Sequence, residues 1–325
     1  MAIHPNQKEV FVIGCGRWGT FIAWYLDKIG HTVTLYGRES SARMQTLKTE
    51  RKNEQLVLSD SLELTTDLRG CLTADIVVIS IGAQQLAGLA EQLSSLDLRD
   101  KTIVLCMKGI EIGSGRRLSQ ICAEALAPAN KIAVWLGPGH VQEFYRGVPN
   151  CMVIDSEDEQ VKEQLVQAFS GDLIRFYYGT DLIGNEIGGA AKNVIGIAAG
   201  MLEGAGLCSL KGALMARGTR EIARLIQAMG GQENTAYGLC HLGDYEATLF
   251  SPHSQNLAFG RAFIRGEQYE KLAEGYYTAK ALKELSEKYQ VELPICEAVY
   301  RILYENVNPD EMLQQLFHRS LKNEF

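Results

Sequence analysis

The feature that most restricts this chain is Gly14-Cys15-Gly16-Arg17-Trp18-Gly19, set directly after the apolar run Val10 to Ile13 and before the helical stretch Thr20 to Leu26. In that order the first glycine permits a tight turn and the second lets backbone approach a pyrophosphate. The third allows the helix to pack closely on the strand, while the helix N-terminus faces the anion. The context favours dinucleotide binding over the plainer reading of a glycine-rich turn. The second predicted strand ends Leu35-Tyr36-Gly37-Arg38, with no acid where an NAD-specific fold would commonly place one on the ribose. Arg38, with Arg43, can accept a 2′-phosphate, or Arg38 can stack on adenine and tolerate either form. The cofactor reading is NAD or NADP, with a slight lean to NADP.

Around this start, short β-branched runs alternate with amphipathic stretches, the pattern of βα units on a parallel sheet. Strands are predicted at Glu9 to Ile13, Thr32 to Tyr36, Ile76 to Ser80, Thr102 to Met107, Ile132 to Leu136, Cys151 to Ile154 and Leu173 to Phe176. Nearly all are continuous apolar runs, as strands covered on both faces should be. After Tyr178 the texture is helical, with no convincing strand. With 325 residues, too many for one ordinary core, the reading is α/β, a doubly wound N-terminal domain over 1–180 and an all-α C-terminal domain over 181–325.

Composition excludes several classes. The 32 basic and 39 acidic residues leave a net charge of −7, and no Lys/Arg run exceeds a pair such as Arg116-Arg117, so no nucleic-acid partner is expected. The eight cysteines show no CxxC and no Cys/His cluster, so neither a disulfide framework nor a metal site is expected. The polar start, Met1 to Glu9, shows no signal-peptide core, so a cytoplasmic, reducing compartment is expected. Leu182 to Leu202 has the length of a membrane span but carries Asn185, Glu186, Lys192 and Asn193, so it is read as a helix buried in protein.

Four further segments carry candidate chemistry. Lys108 follows a predicted strand end, where ligands gather in open α/β sheets, although a solvated loop lysine fits position equally well. Leu136-Gly137-Pro138-Gly139-His140-Val141 is a small-residue turn opening a short helix, suited to a polar or anionic ligand; His140 is a possible acid or base but more often a bystander there. Lys192 lies among glycines and alanines, where partial desolvation would lower its pKa and suit it to proton transfer. The alternative is a lysine paired to a carboxylate across a helix interface. If its helix is unbroken, Asn185, Lys192 and Glu203 share a face within ~20°. Finally, Asp244 and the segment Ser254-Gln255-Asn256 offer hydrogen bonds to a hydroxylated, phosphorylated ligand, or form an ordinary polar loop.

Taken together, these segments resemble the NAD(P)-dependent glycerol-3-phosphate dehydrogenases of the bacterial, soluble type. The likeness runs through Val12 to Thr20, Tyr36-Gly37-Arg38, Lys108-Gly109-Ile110-Glu111, Gly137-Pro138 and Glu186 to Val194, then Leu242-Gly243-Asp244, Ser254-Gln255-Asn256, Glu274-Gly275, Pro294-Ile295 and Ala298-Val299-Tyr300. The Lys192 segment is the most specific. The resemblance implies a Rossmann domain joined to a helical domain, with substrate in the cleft between them. It implies that Lys192 is the proton donor and acceptor, held by Asp244, and that Lys108 contacts substrate and cofactor. It places Gly137, Gly139, Asp244, Ser254, Gln255 and Asn256 at the substrate, and Gly14, Gly16, Arg17, Trp18, Gly19, Arg38, Val141 and Glu274 at the cofactor.

The chain also departs from that family. Gln255 stands where the family has an arginine on the substrate phosphate, Gly139 where serine is common, and Leu207-Cys208-Ser209 where asparagine is usual. Losing the charged contact would lower phosphate affinity by roughly one to two powers of ten unless Arg261, Arg265 or His253 substitutes. The leading expectation is interconversion of dihydroxyacetone phosphate and glycerol 3-phosphate, a step of glycerophospholipid metabolism. The rivals are the same hydride chemistry on another 2-hydroxy or 2-keto substrate, and a non-catalytic dinucleotide-binding protein. A homodimer is expected from the Gly and Ala content of the helical half.

Overall fold

The computed structural model describes residues 7–54, 56–321 and 323–324. Residues 1–6 of the polar start lie outside them. The chain forms two compact units: the described residues up to Lys108 with Arg116–Glu186, and Gly109–Gly115 with the described residues from Ile187 onward. This division differs from 180/181 at Asp181–Glu186 and at Gly109–Gly115.

The first unit is built on β1 (Glu9–Ile13), β2 (Thr32–Tyr36), β3 (Glu63–Thr65), β4 (Ile76–Ile79), β5 (Thr102–Leu105), β6 (Lys131–Leu136), β7 (Asn150–Ser156) and β8 (Ile174–Tyr178). They form one sheet in the order β3-β2-β1-β4-β5-β6-β7-β8. The strands are flanked by α1 (Arg17–Lys28), α2 (Ala42–Glu50), α3 (Leu86–Ser95), α4 (Leu118–Ala125), α5 (Val141–Tyr145) and α6 (Glu159–Phe169). Burial explains the continuous apolar strands: all of β4 and all but the first residue of β1 are buried. Trp135, Tyr25, Phe21, Phe144 and Phe169 lie in the core, each burial worth roughly 1.5–3 kcal/mol.

Two features of the sheet depart from the sequence reading. Strand β3, unpredicted, is a three-residue edge strand with no buried residue, so it leaves no apolar run to read. The β6–β7 pair is antiparallel, whereas the other neighbours are parallel. The connection between β6 and β7 holds only the five-residue α5, which rises about 7.5 Å against about 20 Å for the six-residue β6. It cannot carry the chain back along the sheet, so β7 returns in the opposite sense.

Helix α7 (Leu182–Gly204) is unbroken and passes from the first unit into the second. The second unit continues through α8 (Lys211–Ala228), α9 (Gln255–Ile264), α10 (Glu274–Tyr289), α11 (Pro294–Tyr304) and α12 (Pro309–Phe317). Among the described residues no strand follows Tyr178, and no helix is long and apolar enough to cross a membrane.

Glycines four apart turn one ridge of α7 into bare backbone. A Cβ on Gly200 would lie 2.1 Å from the Leu257 carbonyl oxygen, and one on Gly204 would lie 3.0 Å from that of Arg261. From the other side, a Cβ on Gly260 would lie 2.1 Å from the Ile197 oxygen. Each helix glycine costs up to about 1 kcal/mol in propensity, offset here by backbone approach that no side chain would allow. These glycines are therefore used for close packing within the unit.

Candidate active site

The parallel register brings the carboxyl ends of the central strands to one edge: Ile13 faces Tyr36 and Ile79, Ile79 faces Leu105, and Leu105 faces Val134. The order reverses about β1, and the Gly14–Gly19 turn leaves β1 at that switch point. Gly14 adopts φ +117°, and a Cβ there would lie 2.1 Å from the Ser80 oxygen. One on Gly19 would lie 1.9 Å from the Gly14 oxygen. One on Gly16 would meet only Arg43 Nη1 within 4 Å. The outer glycines thus serve packing, and the middle one keeps an open backbone face at the start of α1, which suits a pyrophosphate.

Around this turn the first unit gathers most of the expected cofactor residues. Arg17 is exposed at the first position of α1, while Trp18 packs 5.1 Å from Phe21 and 6.3 Å from Phe144, ring to ring. Arg38 is exposed just after β2. Gly37 must be bare, because a Cβ there would lie 2.6 Å from Cys15 Sγ, a constraint the sequence reading missed. Val141 is buried in the hydrophobic core, which leaves its backbone for any ligand contact. Glu274, at the start of α10, belongs to the second unit.

Lys108 Nζ donates to the Gly137 carbonyl at 2.7 Å, joining two expected substrate residues. Gly137 has φ +123° and Gly139 φ +154°. A Cβ on Gly139 would fall 2.3 Å from the Phe144 ring, so packing accounts for the absent serine side chain. The chain after Lys108 enters the second unit, where the Gly113 N–H donates to Glu284 at 2.8 Å.

In the second unit, residues 241–261 run along the α7 ridge. Lys192 lies on that ridge between Gly188 and Gly196 and is 7% exposed. Its Nζ is 2.9 Å from Asp244 Oδ2 and donates to Thr248 Oγ1 at 2.6 Å. Thr248 Oγ1 in turn donates to the Asp244 carbonyl at 2.7 Å. Asp244 closes a 3₁₀ turn, Leu242–Asp244, and Thr248 sits in a π-helical turn, Glu246–Phe250, a form often found at functional sites. Both alternatives for Lys192 are thus present together, an ammonium among small residues and a paired carboxylate. Sequence reasoning passed over Thr248, although its i+4 spacing from Asp244 could have shown that the two share a helical face.

The polar face of α7 divides into three clusters. Asn185 donates to Asp155 at 2.8 Å, Lys192 meets Asp244, and Glu203 accepts from Lys211 at 2.8 Å and from Arg261 at 2.9 Å. Arg261 is therefore committed to Glu203. Glu186, in the same motif as Lys192, is an anchor within the first unit. It accepts from Arg117, and from the backbone and hydroxyl of Ser119 at 2.9 and 2.6 Å. Burial pushes its carboxyl above the usual range, against the pull of Arg117.

Ser254 caps α9, accepting from the Leu257 N–H. Asn256 donates to Asn193 at 3.1 Å and accepts from the Gly275 N–H at 2.9 Å, which ties the starts of α9 and α10 to the residue beside Lys192. Gln255 accepts from the Tyr269 hydroxyl at 2.7 Å and donates to the His253 carbonyl at 3.3 Å. Its amide is thus a fixed neutral group beside these residues.

A doubly wound sheet with a glycine cradle at its switch point, followed by a helical unit with a buried lysine and carboxylate, has the make-up of a nicotinamide-dependent oxidoreductase. Comparison with known proteins narrows this class. Residues 9–162 match the NAD-dependent glycerol-3-phosphate dehydrogenase N-terminus, and residues 181–314 match the corresponding C-terminus. The chain is 39% identical to a glycerol-3-phosphate dehydrogenase (NAD(P)+) of Bradyrhizobium sp. strain ORS 278, covering 98% of each. It is also 39% identical to that of Agrobacterium fabrum, covering 98% of this chain and 100% of the relative. The crystal structure of a glycerol-3-phosphate dehydrogenase from Coxiella burnetii superposes with a TM-score of 0.89 at 28% identity, covering 97% of this chain and 100% of the other. The chain belongs to the NAD-dependent glycerol-3-phosphate dehydrogenase family.

Proposed function

We propose that this protein interconverts dihydroxyacetone phosphate and sn-glycerol 3-phosphate, with Lys192 giving the C2 oxygen its proton in reduction and removing it in oxidation. The observation that carries this reading is the buried Lys192 ammonium held by Asp244 and Thr248. The nicotinamide, when bound, supplies or accepts the hydride at C2. Asp244 and Thr248 hold the ammonium in place as a proton donor. Lys108 supplies positive charge for an oxygen that becomes anionic, oriented by the Gly137 carbonyl. The first turn of α9, with Ser254 and Asn256, offers donors to the phosphate.

The absence of an acid at the end of β2, where Tyr36-Gly37-Arg38 stands, with Arg38 exposed and Arg43 beside Gly16, supports a preference for NADPH over NADH. The same reading places the protein in the cytoplasm, supported by eight free thiols, and as a homodimer, to be tested by its mass in solution. Its deciding experiment follows oxidation of NADPH and NADH by purified protein with millimolar dihydroxyacetone phosphate; no oxidation of either would refute this substrate.

A second reading keeps the hydride chemistry and changes the substrate. The specific observation is Gln255, whose fixed neutral amide stands in place of an arginine. A panel of phosphorylated and unphosphorylated ketones decides between the two, since a higher kcat/KM on a ketone without phosphate favours the second.

A further inference from the structure

The segment closing over Lys192 contains two buried side chains that the proposed chemistry does not use. His241 is fully buried, with Nδ1 2.8 Å from the Gly188 carbonyl oxygen. A carbonyl only accepts, so Nδ1 carries the proton and Nε2 is the acceptor, here of the Tyr245 hydroxyl at 2.7 Å. Gly188 lies one helical turn before Lys192, and its carbonyl is the α-helical partner of the Lys192 amide. A Cβ on Gly188 would lie 3.0 Å from that of His241, so the imidazole sits against bare backbone. Tyr245 directly follows Asp244 and precedes the π-helical turn that carries Thr248. The pair therefore connects the backbone turn that aims Lys192 to the segment that holds its ammonium.

The electrostatics fit this arrangement. Burial lowers the His241 pKa to about 4; Lys192 also lowers it, while Gly188 and Asp244 act in the opposite sense. Burial raises the Tyr245 hydroxyl well above its ordinary value, opposed by Thr219 and reinforced by Cys296 and Glu221. Both groups stay uncharged through neutral pH, so the clasp places no second cation beside the lysine.

We propose that His241 is a positioning residue for Lys192: bonded to the Gly188 carbonyl and to Tyr245, it fixes residues 241–248 against α7 so that Asp244 and Thr248 meet the ammonium. The proposal rests on Lys192 as the proton-transferring group. It is tested in the full-length protein with His241→Leu, which removes the bond to Gly188, with His241→Asn, which can restore a donor there, and with Tyr245→Phe. The readouts are kcat and KM, the pH profile of kcat, and the pH dependence of Lys192 acylation by acetic anhydride, followed by peptide mass spectrometry without substrate.

His241→Leu should lower kcat by about 10- to 100-fold, with cofactor KM within about twofold, and should move the Lys192 acylation midpoint by about half a pH unit or more. His241→Asn should recover most of the loss, and Tyr245→Phe should reproduce part of it. A folded His241→Leu protein with wild-type kcat and acylation midpoint overturns the proposal. So does a lower kcat with an unmoved midpoint and no recovery in His241→Asn, which is the signature of a merely structural histidine. Should His241→Leu fail to fold, an unmoved midpoint in folded Tyr245→Phe is decisive against it. If the wild type reduces no ketone yet the midpoint still responds to His241, the functional reading fails while the positioning role stands.

Discussion

The glycine turn of the first unit and the lysine pocket of the second solve opposite problems. The turn keeps a stretch of backbone bare, as an anionic ligand would require, and it does so by omission: side chains at Gly14 and Gly19 would overlap backbone, while Gly16 is left open. The pocket must hold a charged side chain in a place with little water, and it does so by addition, with Asp244 and Thr248 around the Lys192 ammonium. The first is a steric device contained in six consecutive residues. The second is electrostatic, and its partners are brought from more than fifty positions away. A buried pair is only as good as its remaining hydrogen bonds, so the pocket should be the more sensitive of the two to small chemical changes.

The largest expected effect tests the pocket. Lys192→Met should lower kcat with dihydroxyacetone phosphate by about 10³-fold, within the usual range for general acid–base groups. Cofactor affinity, read by fluorescence titration, should barely move. A variant retaining full turnover would break the comparison outright.

Next come the glycines, which should separate by role. Gly14→Ala should destabilise the fold by about 3 kcal/mol, because its φ is unsuited to a side chain and its Cβ would enter Ser80. Gly16→Ala should leave the unfolding free energy within about 0.5 kcal/mol of wild type and weaken cofactor binding by about tenfold. Equal effects in both assays would mean that the turn is not divided as described.

A smaller effect appears in the pH dependence of stability. His241 titrates at about 4 in the fold and ordinarily near 6.5, so within that window the unfolded chain binds a proton that the folded one does not. Its contribution is complete above about pH 6.5 and is lost as pH falls through the window, by about 2 kcal/mol at pH 5. Denaturant unfolding of wild type and His241→Gln at pH 7 and pH 5 isolates this effect from Asp155, Glu186 and Glu221, whose buried carboxyls titrate above their ordinary values. The stability difference between the two proteins should shrink by about 2 kcal/mol at the lower pH.

The smallest change sharpens the substrate. Gln255→Arg should lower KM for dihydroxyacetone phosphate by about tenfold while releasing Tyr269 from its hydrogen bond. An unchanged KM would show that the phosphate is held elsewhere.

Some of this was open to sequence reasoning because its causes are local. The order of strand, glycine turn and helix is enforced by neighbours in the chain, and the continuous apolar strands announce a sheet covered on both faces. The edge strand β3 escaped because its residues bury too little to leave a pattern, and the reversal of β7 because it follows from the length of α5. Thr248 escaped as one threonine among many, and Gln255 was legible as a departure while its bond to Tyr269 was not.

From the order of residues alone came the two-part α/β and α architecture, the dinucleotide turn and the singling out of Lys192, since each rests on sterics or hydrophobic period within a few residues. Folding decided what surrounds them: the acid and hydroxyl on the ammonium, the histidine on Gly188, and the phenyl ring that keeps Gly139 bare. Those contacts join residues remote in the chain, and no local period encodes which buried polar atoms will meet once the helices pack.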